Sequence, residues 1–164
     1  MSRSTSERQL RLGVAIAVSI VTFALSWRIV MEAHAAESVG TGVVFSAEQT
    51  EQSAKAQPMG APYWVPSKAE IQRLESALPA FLKQSAGAAK IARNLGSYRQ
   101  QYFGYSDHGE KWVLVNSFCE EYWKKNDGWR NSAVFVFDGG DCYFRVRYRV
   151  STSSFSGLDI NGES

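Results

Sequence analysis

The stretch Ala133–Val150 constrains the fold more than any other part of the chain. Its second half, Cys142–Val150, alternates strictly between apolar and polar residues, and successive side chains of a strand point to opposite faces of a sheet. This half therefore predicts a strand with one face toward a core. The residues of the apolar face are Cys142, Phe144, Val146, Tyr148 and Val150.

The first half of the same stretch predicts a partner strand. Ala133–Phe137 is a continuous apolar run, which is typical of a strand covered on both faces. Between the two halves lie Gly139 and Gly140, flanked by Asp138 and Asp141, and glycine adopts a positive φ in a tight turn without steric cost. The sequence thus predicts a β-hairpin whose turn is the Gly-Gly pair.

A row of polar residues occupies the other face of the strand Cys142–Val150: Tyr143, Arg145, Arg147 and Arg149. Neighbouring members of this row are about 7 Å apart, because a strand rises about 3.4 Å per residue. One interpretation is a binding face for an anionic envelope component or an acidic protein. The alternative is a solvated face with acidic residues opposite, or an edge whose charges prevent aggregation.

The N-terminal residues have the layout of a secretory signal peptide. Met1–Arg11 holds three arginines and one glutamate, Leu12–Leu25 is apolar, and Ala33–Ala35 supplies an A-x-A motif. This pattern predicts a signal peptide over residues 1–35. The alternative is an uncleaved membrane anchor over residues 12–31. Both interpretations export the rest of the chain, either to the bacterial periplasm or medium, or as an inner-membrane protein with its domain outside the cytoplasm.

The net charge of +2 belongs to this leader. Residues 1–35 hold four arginines and two glutamates, so the 18 basic and 16 acidic residues of the chain fall to 14 of each without them. A near-neutral remainder gives no reason to expect a nucleic-acid partner.

Two cysteines, Cys119 and Cys142, lie in the exported part. A pair of cysteines in an oxidising compartment predicts a disulfide, and both residues stand at predicted strand ends. The alternative is a small thiol-dependent enzyme that uses Cys119 or Cys142 together with His108. Since His108 is the one histidine outside the leader, a multi-histidine metal site is excluded, and no cofactor-binding motif is present.

The segment between the leader and the predicted domain, residues 36–62, is rich in small and polar residues and predicts a flexible linker. A domain is expected over residues 63–164. It opens with a helix, because Ser67 and Glu70 form an S-x-x-E capping box ahead of an apolar stripe. Pro79 interrupts the stripe and predicts a kink, or a helix end followed by a restart. The stripe consists of Ile71, Leu74, Leu78, Phe81 and Leu82.

The remaining segments predict a second short helix over Ser85–Leu95 and three more strands. Ser97–Tyr105 and Lys111–Phe118 form a hairpin around a loop, and Phe155–Asn161 forms the last strand. The fold class expected is α+β, with an N-terminal helix packed on an antiparallel sheet of about four to five meandering strands.

Three segments resemble small exported bacterial domains of uncharacterised function: Gln100–Gly104, Asn116–Cys119 and Asp138–Phe144. The layout is similar to cystatin-like α+β rolls. The resemblance implies a bacterial envelope protein and carries over no catalytic residue.

Taken together, these patterns predict an exported, non-enzymatic binding or protein-interaction domain. Its expected contact surface is the arginine face together with exposed aromatic residues such as Trp123 or Trp129. The thiol-dependent enzyme is one alternative. A membrane-tethered accessory subunit of an envelope complex is another, in which the linker sets the reach of the domain.

Overall fold

The computed structural model describes residues 37–39 and 42–162. Six strands form one sheet in the order β1-β2-β3-β4-β5-β6. The strands are β1 Glu37–Val39, β2 Gly42–Val44, β3 Tyr98–Asp107, β4 Glu110–Cys119, β5 Tyr143–Arg149 and β6 Ser154–Ile160. The helices are α1 Ala47–Ser53, α2 Lys68–Gln84 and α3 Ala89–Arg93. The predicted signal peptide and the alternative anchor lie outside the described residues, and no helix within those residues is long and apolar enough to cross a bilayer.

The helix α2 begins at the predicted capping box. The Ser67 hydroxyl accepts a hydrogen bond from the Glu70 N–H, and the Glu70 carboxylate accepts one from the Ser67 N–H at 2.7 Å. The helix then runs without a break to Gln84, so the predicted end and restart at Pro79 is wrong. Apolar side chains on both sides of the proline are buried on the same sheet face, and this packing outweighs one lost backbone hydrogen bond. The buried positions are Ile71, Leu74, Leu78 and Leu82.

The sheet is mixed, whereas the sequence predicted an antiparallel one. The strand β2 lies parallel to β3, with Val44 opposite Tyr102, and the other neighbouring pairs are antiparallel. Both Val43 and Phe45 are buried, and α1 follows with its own capping box at Ser46. Residues 42–62, which the sequence analysis assigned to a flexible linker, thus contain a strand paired with β3 and a capped helix.

The predicted Gly-Gly hairpin is also wrong. Residues 133–138 form no strand, and β5 pairs instead with β4 on one side and β6 on the other. Gly139 and Gly140 do have positive φ angles of 86° and 59°, but they lead into a short 3-10 turn. Both edges of β5 are occupied, so the apolar run crosses one face of the sheet as an irregular segment, which we call the strap (residues 133–138).

Buried amide side chains pair with backbone groups of the strap and of the segment just before it. The Gln101 amide on β3 donates hydrogen bonds to the carbonyls of Trp129 and Ser132, and its oxygen accepts from the Val134 N–H at 2.9 Å. The same oxygen accepts from the Asn116 amide at 3.0 Å, and that amide also donates to the Val134 carbonyl at 2.7 Å. A buried backbone without such partners would be costly, so these two amides permit an irregular segment to lie on a sheet face.

The strap and α2 cover opposite faces of the same sheet. One apolar cluster lies between α2 and the face that carries Val146 and Tyr148. A second cluster lies under the strap and includes Phe103, Phe118 and Val134. The central strands β3 and β4 are accordingly buried on both faces over most of their length.

The disulfide between Cys119 and Cys142 is confirmed, with the two Cα atoms 4.9 Å apart. In the β4–β5 ladder Phe118 lies opposite Tyr143, so the cysteines form the next pair in the same register. The bond closes the excursion of 23 positions that contains the strap. A loop of this length is stabilised by about 3 kcal/mol through the lost entropy of the unfolded chain.

Replacing Gln101 by Met should destabilise the domain by about 2–4 kcal/mol, because Met keeps the volume but leaves the bound backbone groups of the strap without partners. Chemical denaturation of the parent and the variant measures the free energy of unfolding. The control is Gln72→Met on the exposed side of α2, which should change stability by less than about 0.5 kcal/mol. Equal effects of the two substitutions would show that the strap does not depend on the buried amide.

Two tyrosines of β3 sit in the core beneath α2 with their hydroxyls hydrogen-bonded. Tyr98 donates to the carbonyl of Asp141 at 2.7 Å, and Tyr102 donates to the Glu75 carboxylate at 2.6 Å. Burial, with a smaller contribution from the charge of Asp141, raises the pKa of Tyr98 to about 12. Burial and the neighbouring Glu75 carboxylate raise the pKa of Tyr102 as well.

The stability of the domain should fall as the pH rises above about 10, where tyrosines of the unfolded chain ionise. Between that pH and the raised pKa of about 12 for Tyr98, the unfolded state binds fewer protons than the folded state, so each added pH unit favours unfolding. Denaturation curves at several pH values measure the slope. The slope should be shallower in Tyr98→Phe, and an unchanged slope would contradict the assignment to this residue.

Candidate functional site

The predicted row of polar residues on β5 lies on the face that the strap partly covers. Tyr143, nearest the disulfide, packs against the cluster under the strap. Arg145 is buried with 8% of its surface exposed, Arg149 is partly buried, and Arg147 is exposed. The structure therefore divides the row into a covered half and an open half, which the alternation alone could not show.

Arg145 is held within the protein and does not face solvent as predicted. Its guanidinium donates to the Asp159 carboxylate at 2.7 Å and to the Asn161 side-chain oxygen at 3.2 Å, both from the end of β6. It also lies 5.4 Å from the ring centroid of Phe137 in the strap. The alternative of an acidic residue opposite the arginine row is thus observed at Arg145.

Arg147 and Arg149 flank the indole of Trp112 on the neighbouring strand β4. Their guanidinium carbons lie 6.0 Å and 4.6 Å from the ring centroid, within the range of cation–π contacts. Among the described residues, neither arginine has a carboxylate within salt-bridge distance. We call this group the Trp112 surface (Trp112, Arg147 and Arg149).

A glycine in the edge strand β6 makes room for Arg147. A Cβ atom at Gly157 would lie 2.9 Å from both Nε and Nη2 of the Arg147 guanidinium. Gly157 also has a φ of +62°, next to an irregularity in the β5–β6 register. A side chain larger than glycine at this position would therefore collide with the guanidinium. The nearby Tyr105 is buried, which raises the pKa of its hydroxyl, while the positive charge of Arg147 acts in the opposite direction.

Phe137 stands out from the strap with 70% of its surface exposed. The backbone on both sides of it is fixed, because the Asn161 amide donates to the carbonyls of Val136 and Asp138 at 2.7 Å and 2.8 Å.

The tryptophans expected on the contact surface, Trp123 and Trp129, pack instead in the cluster under the strap. The sequence analysis missed two aromatic residues of this face: the exposed Phe137, and Trp112, which lies beneath the two arginines with 9% of its surface exposed. Trp112 could have been placed on this face from the sequence, because successive side chains of the predicted strand point to opposite faces. The exposure of Phe137 depends on the position of the strap.

The structure does not bring His108 near either cysteine. Both cysteines are in the disulfide, and His108 lies in the β3–β4 turn with 95% of its side chain exposed, 2.8 Å from the carboxylate of Asp107. In the β3–β4 ladder, Tyr98 pairs with Cys119 at one end and Asp107 with Glu110 at the other. These two ends are nine positions apart, which corresponds to about 30 Å because a strand rises about 3.4 Å per residue. The thiol–histidine pair of the enzyme alternative is therefore not formed.

The two aspartates beside the Gly-Gly turn make structural contacts, Asp141 through its carboxylate and Asp138 through its backbone carbonyl. Asp141 forms an ion pair with Lys90 of α3 at 2.7 Å. The carbonyl of Asp138 accepts from Asn161. Within residues 37–39 and 42–162, no group of three or more His, Cys, Asp or Glu side chains is placed to hold a metal ion.

A comparison with known protein families, with curated proteins and with solved structures found no match to this chain. The α+β architecture is confirmed by the fold itself. The resemblance to exported bacterial domains and to cystatin-like rolls stays a prediction. The disulfide is of the kind formed in an oxidising, exported environment.

Arg145→Gln should destabilise the domain by about 1–3 kcal/mol, because it leaves Asp159 and Asn161 without their charged partner beside the strap. Arg147→Gln, two positions along the same face, is the matched control and should change stability by less than about 0.5 kcal/mol. Urea denaturation of both variants measures the difference. If the two variants unfold at the same urea concentration as the parent, Arg145 is not a structural residue.

Proposed function

We propose that this protein is an exported, non-enzymatic binding domain that contacts an anionic partner through the Trp112 surface. The observation that carries the proposal is the position of Arg147 and Arg149 and their lack of an acidic partner among the described residues. They project from a sheet face and lie against an indole, and neither is neutralised by a carboxylate of the described residues.

The contrast with Arg145 supports the proposal. Where the strap covers the face, the arginine is matched by Asp159, which is the ordinary way to keep a charge inside a protein. On the open part of the face, Arg147 and Arg149 have no such partner within the part of the chain that the structure describes. Their guanidinium edges can form bidentate hydrogen bonds with a carboxylate or phosphate while their flat faces stay on the indole.

The surroundings of the Trp112 surface also favour binding of a partner. Aromatic residues and arginines are enriched among the residues that contribute most to protein interfaces. Phe137 adds an exposed aromatic ring on the same sheet face, next to Arg145. A flat, cationic and aromatic face of this kind suits a partner with several acidic groups.

The compartment assigned in this proposal is the bacterial periplasm or the outer side of the inner membrane. It rests on the arginine-rich, apolar leader of residues 1–35 and agrees with the disulfide. With both cysteines oxidised and His108 at the far end of the β3–β4 ladder, the thiol-dependent enzyme has less support than the binding domain.

The test is a calorimetric titration of the full-length chain with poly-L-glutamate at low ionic strength. The parent should bind, and the affinity should fall as salt screens the charges. The double variant Arg147→Glu, Arg149→Glu should bind at least about tenfold more weakly, because two charged contacts become repulsive.

The matched control is Arg130→Glu. Arg130 also lies over an indole, 4.4 Å from the ring centroid of Trp129, but it has an acidic partner in Asp127. This variant should bind like the parent. If the double variant binds poly-L-glutamate as tightly as the parent, or if Arg130→Glu weakens binding equally, the Trp112 surface is ordinary solvated surface.

A further inference from the structure

A groove lies on the opposite face of the sheet from the Trp112 surface. It runs between the exposed flank of α2 and the turn from β5 to β6, where Ser153 lies, and has a volume of about 610 Å³. Tyr148 lines it from the sheet side. Because Tyr148 alternates with Arg147 and Arg149 along β5, the groove is separated from the Trp112 surface by the sheet itself.

Tyr148 carries a buried hydroxyl that has no hydrogen-bond partner among the described residues. The residue as a whole is 1% exposed, and its ring packs against Phe155 with centroids 4.9 Å apart. Buried polar groups of native proteins are nearly always paired, so an unpaired hydroxyl beside a groove points to a missing partner. A hydroxyl at this position can donate one hydrogen bond.

The flank of α2 supplies space and a positive charge. Ala69, Ser76 and Ala77 lie on this flank, and their short side chains leave the groove open. Arg73, on the same flank, is exposed and has no carboxylate within salt-bridge distance among the described residues. The carboxylate of the neighbouring Glu70 is engaged by the N–H and hydroxyl of Ser67.

We propose that this groove binds a small organic carboxylate. The Tyr148 hydroxyl and the Arg73 guanidinium are both donors, and a carboxylate is an acceptor at each of its oxygens. The apolar body of the ligand lies against the alanines of α2 and the ring of Tyr148. The volume of the groove falls within the range of small-molecule sites in proteins.

The test uses the full-length chain and two probes of equal shape, benzoate and benzamide. Backbone amide shifts are followed by NMR during each titration. Benzoate should give saturable shifts confined to the amides of Ala69–Ala77 and Ser153, with an affinity in the millimolar range or tighter. Benzamide should bind at least about tenfold more weakly, because it lacks the charge that pairs with Arg73.

Three variants test whether the groove is a binding site for benzoate or only a depression in the surface. Tyr148→Phe removes one oxygen atom that has no hydrogen-bond partner among the residues the structure describes, so it should preserve the thermal stability and weaken benzoate binding by about tenfold. Arg73→Gln should weaken it to a similar extent. Arg93→Gln, an exposed arginine of α3, is the control and should leave binding unchanged.

The absence of saturable shifts with benzoate would overturn the proposal. Shifts that centre on Arg147 and Arg149, or equal affinities of Tyr148→Phe and the parent, would overturn it as well. Because the groove and the Trp112 surface lie on opposite faces, this result is independent of the titration with poly-L-glutamate.

Discussion

The hydrogen bonds of the buried Gln101 amide are the interaction on which one whole face of the sheet depends. An irregular segment on a sheet face brings unpaired N–H and C=O groups into an apolar layer, and each would be costly without a partner. Gln101 and Asn116 supply these partners from the strands beneath. The strap can therefore lie where a second sheet or helix would otherwise be needed, and its position decides which arginines are covered and which are open.

Features with a local cause could be predicted from the sequence. The capping box at Ser67 and the alternation along Cys142–Val150 each depend on residues a few positions apart, and both are present in the structure. The disulfide could also be predicted, since the pattern of a signal peptide and an even number of cysteines can both be read from the sequence. Ala133–Phe137 was misassigned because a short apolar run has the same pattern whether it pairs in a sheet or crosses its face. The difference lies in Gln101 and Asn116, which are distant in sequence.

In the candidate site, too, features with a local cause could be predicted, whereas those that depend on distant residues could not. The assignment of the arginine row to one face of β5 followed from the alternation, but the pairing of Arg145 with Asp159 depends on a register set by the turn between β5 and β6. The contact of Arg147 with Gly157 depends on an irregularity in that ladder, and such irregularities have no clear sequence signal apart from the glycine. Sequence reasoning could thus identify the charges and their face, but not their partners.

The position of the disulfide explains why the strap does not cover Arg147 and Arg149. The Cys119–Cys142 pair fixes the strap at one end of the β4–β5 ladder, and the pair of Trp112 with Arg149 lies seven positions further, about 24 Å at the strand rise. Along the row, Tyr143 packs beside the strap, Arg145 is buried with its acidic partner, Arg147 is exposed, and Arg149 is partly buried against Trp112. A charge without a partner is tolerated only where water or a ligand reaches it. The strap therefore covers Tyr143 and Arg145, and the Trp112 surface begins where that coverage ends.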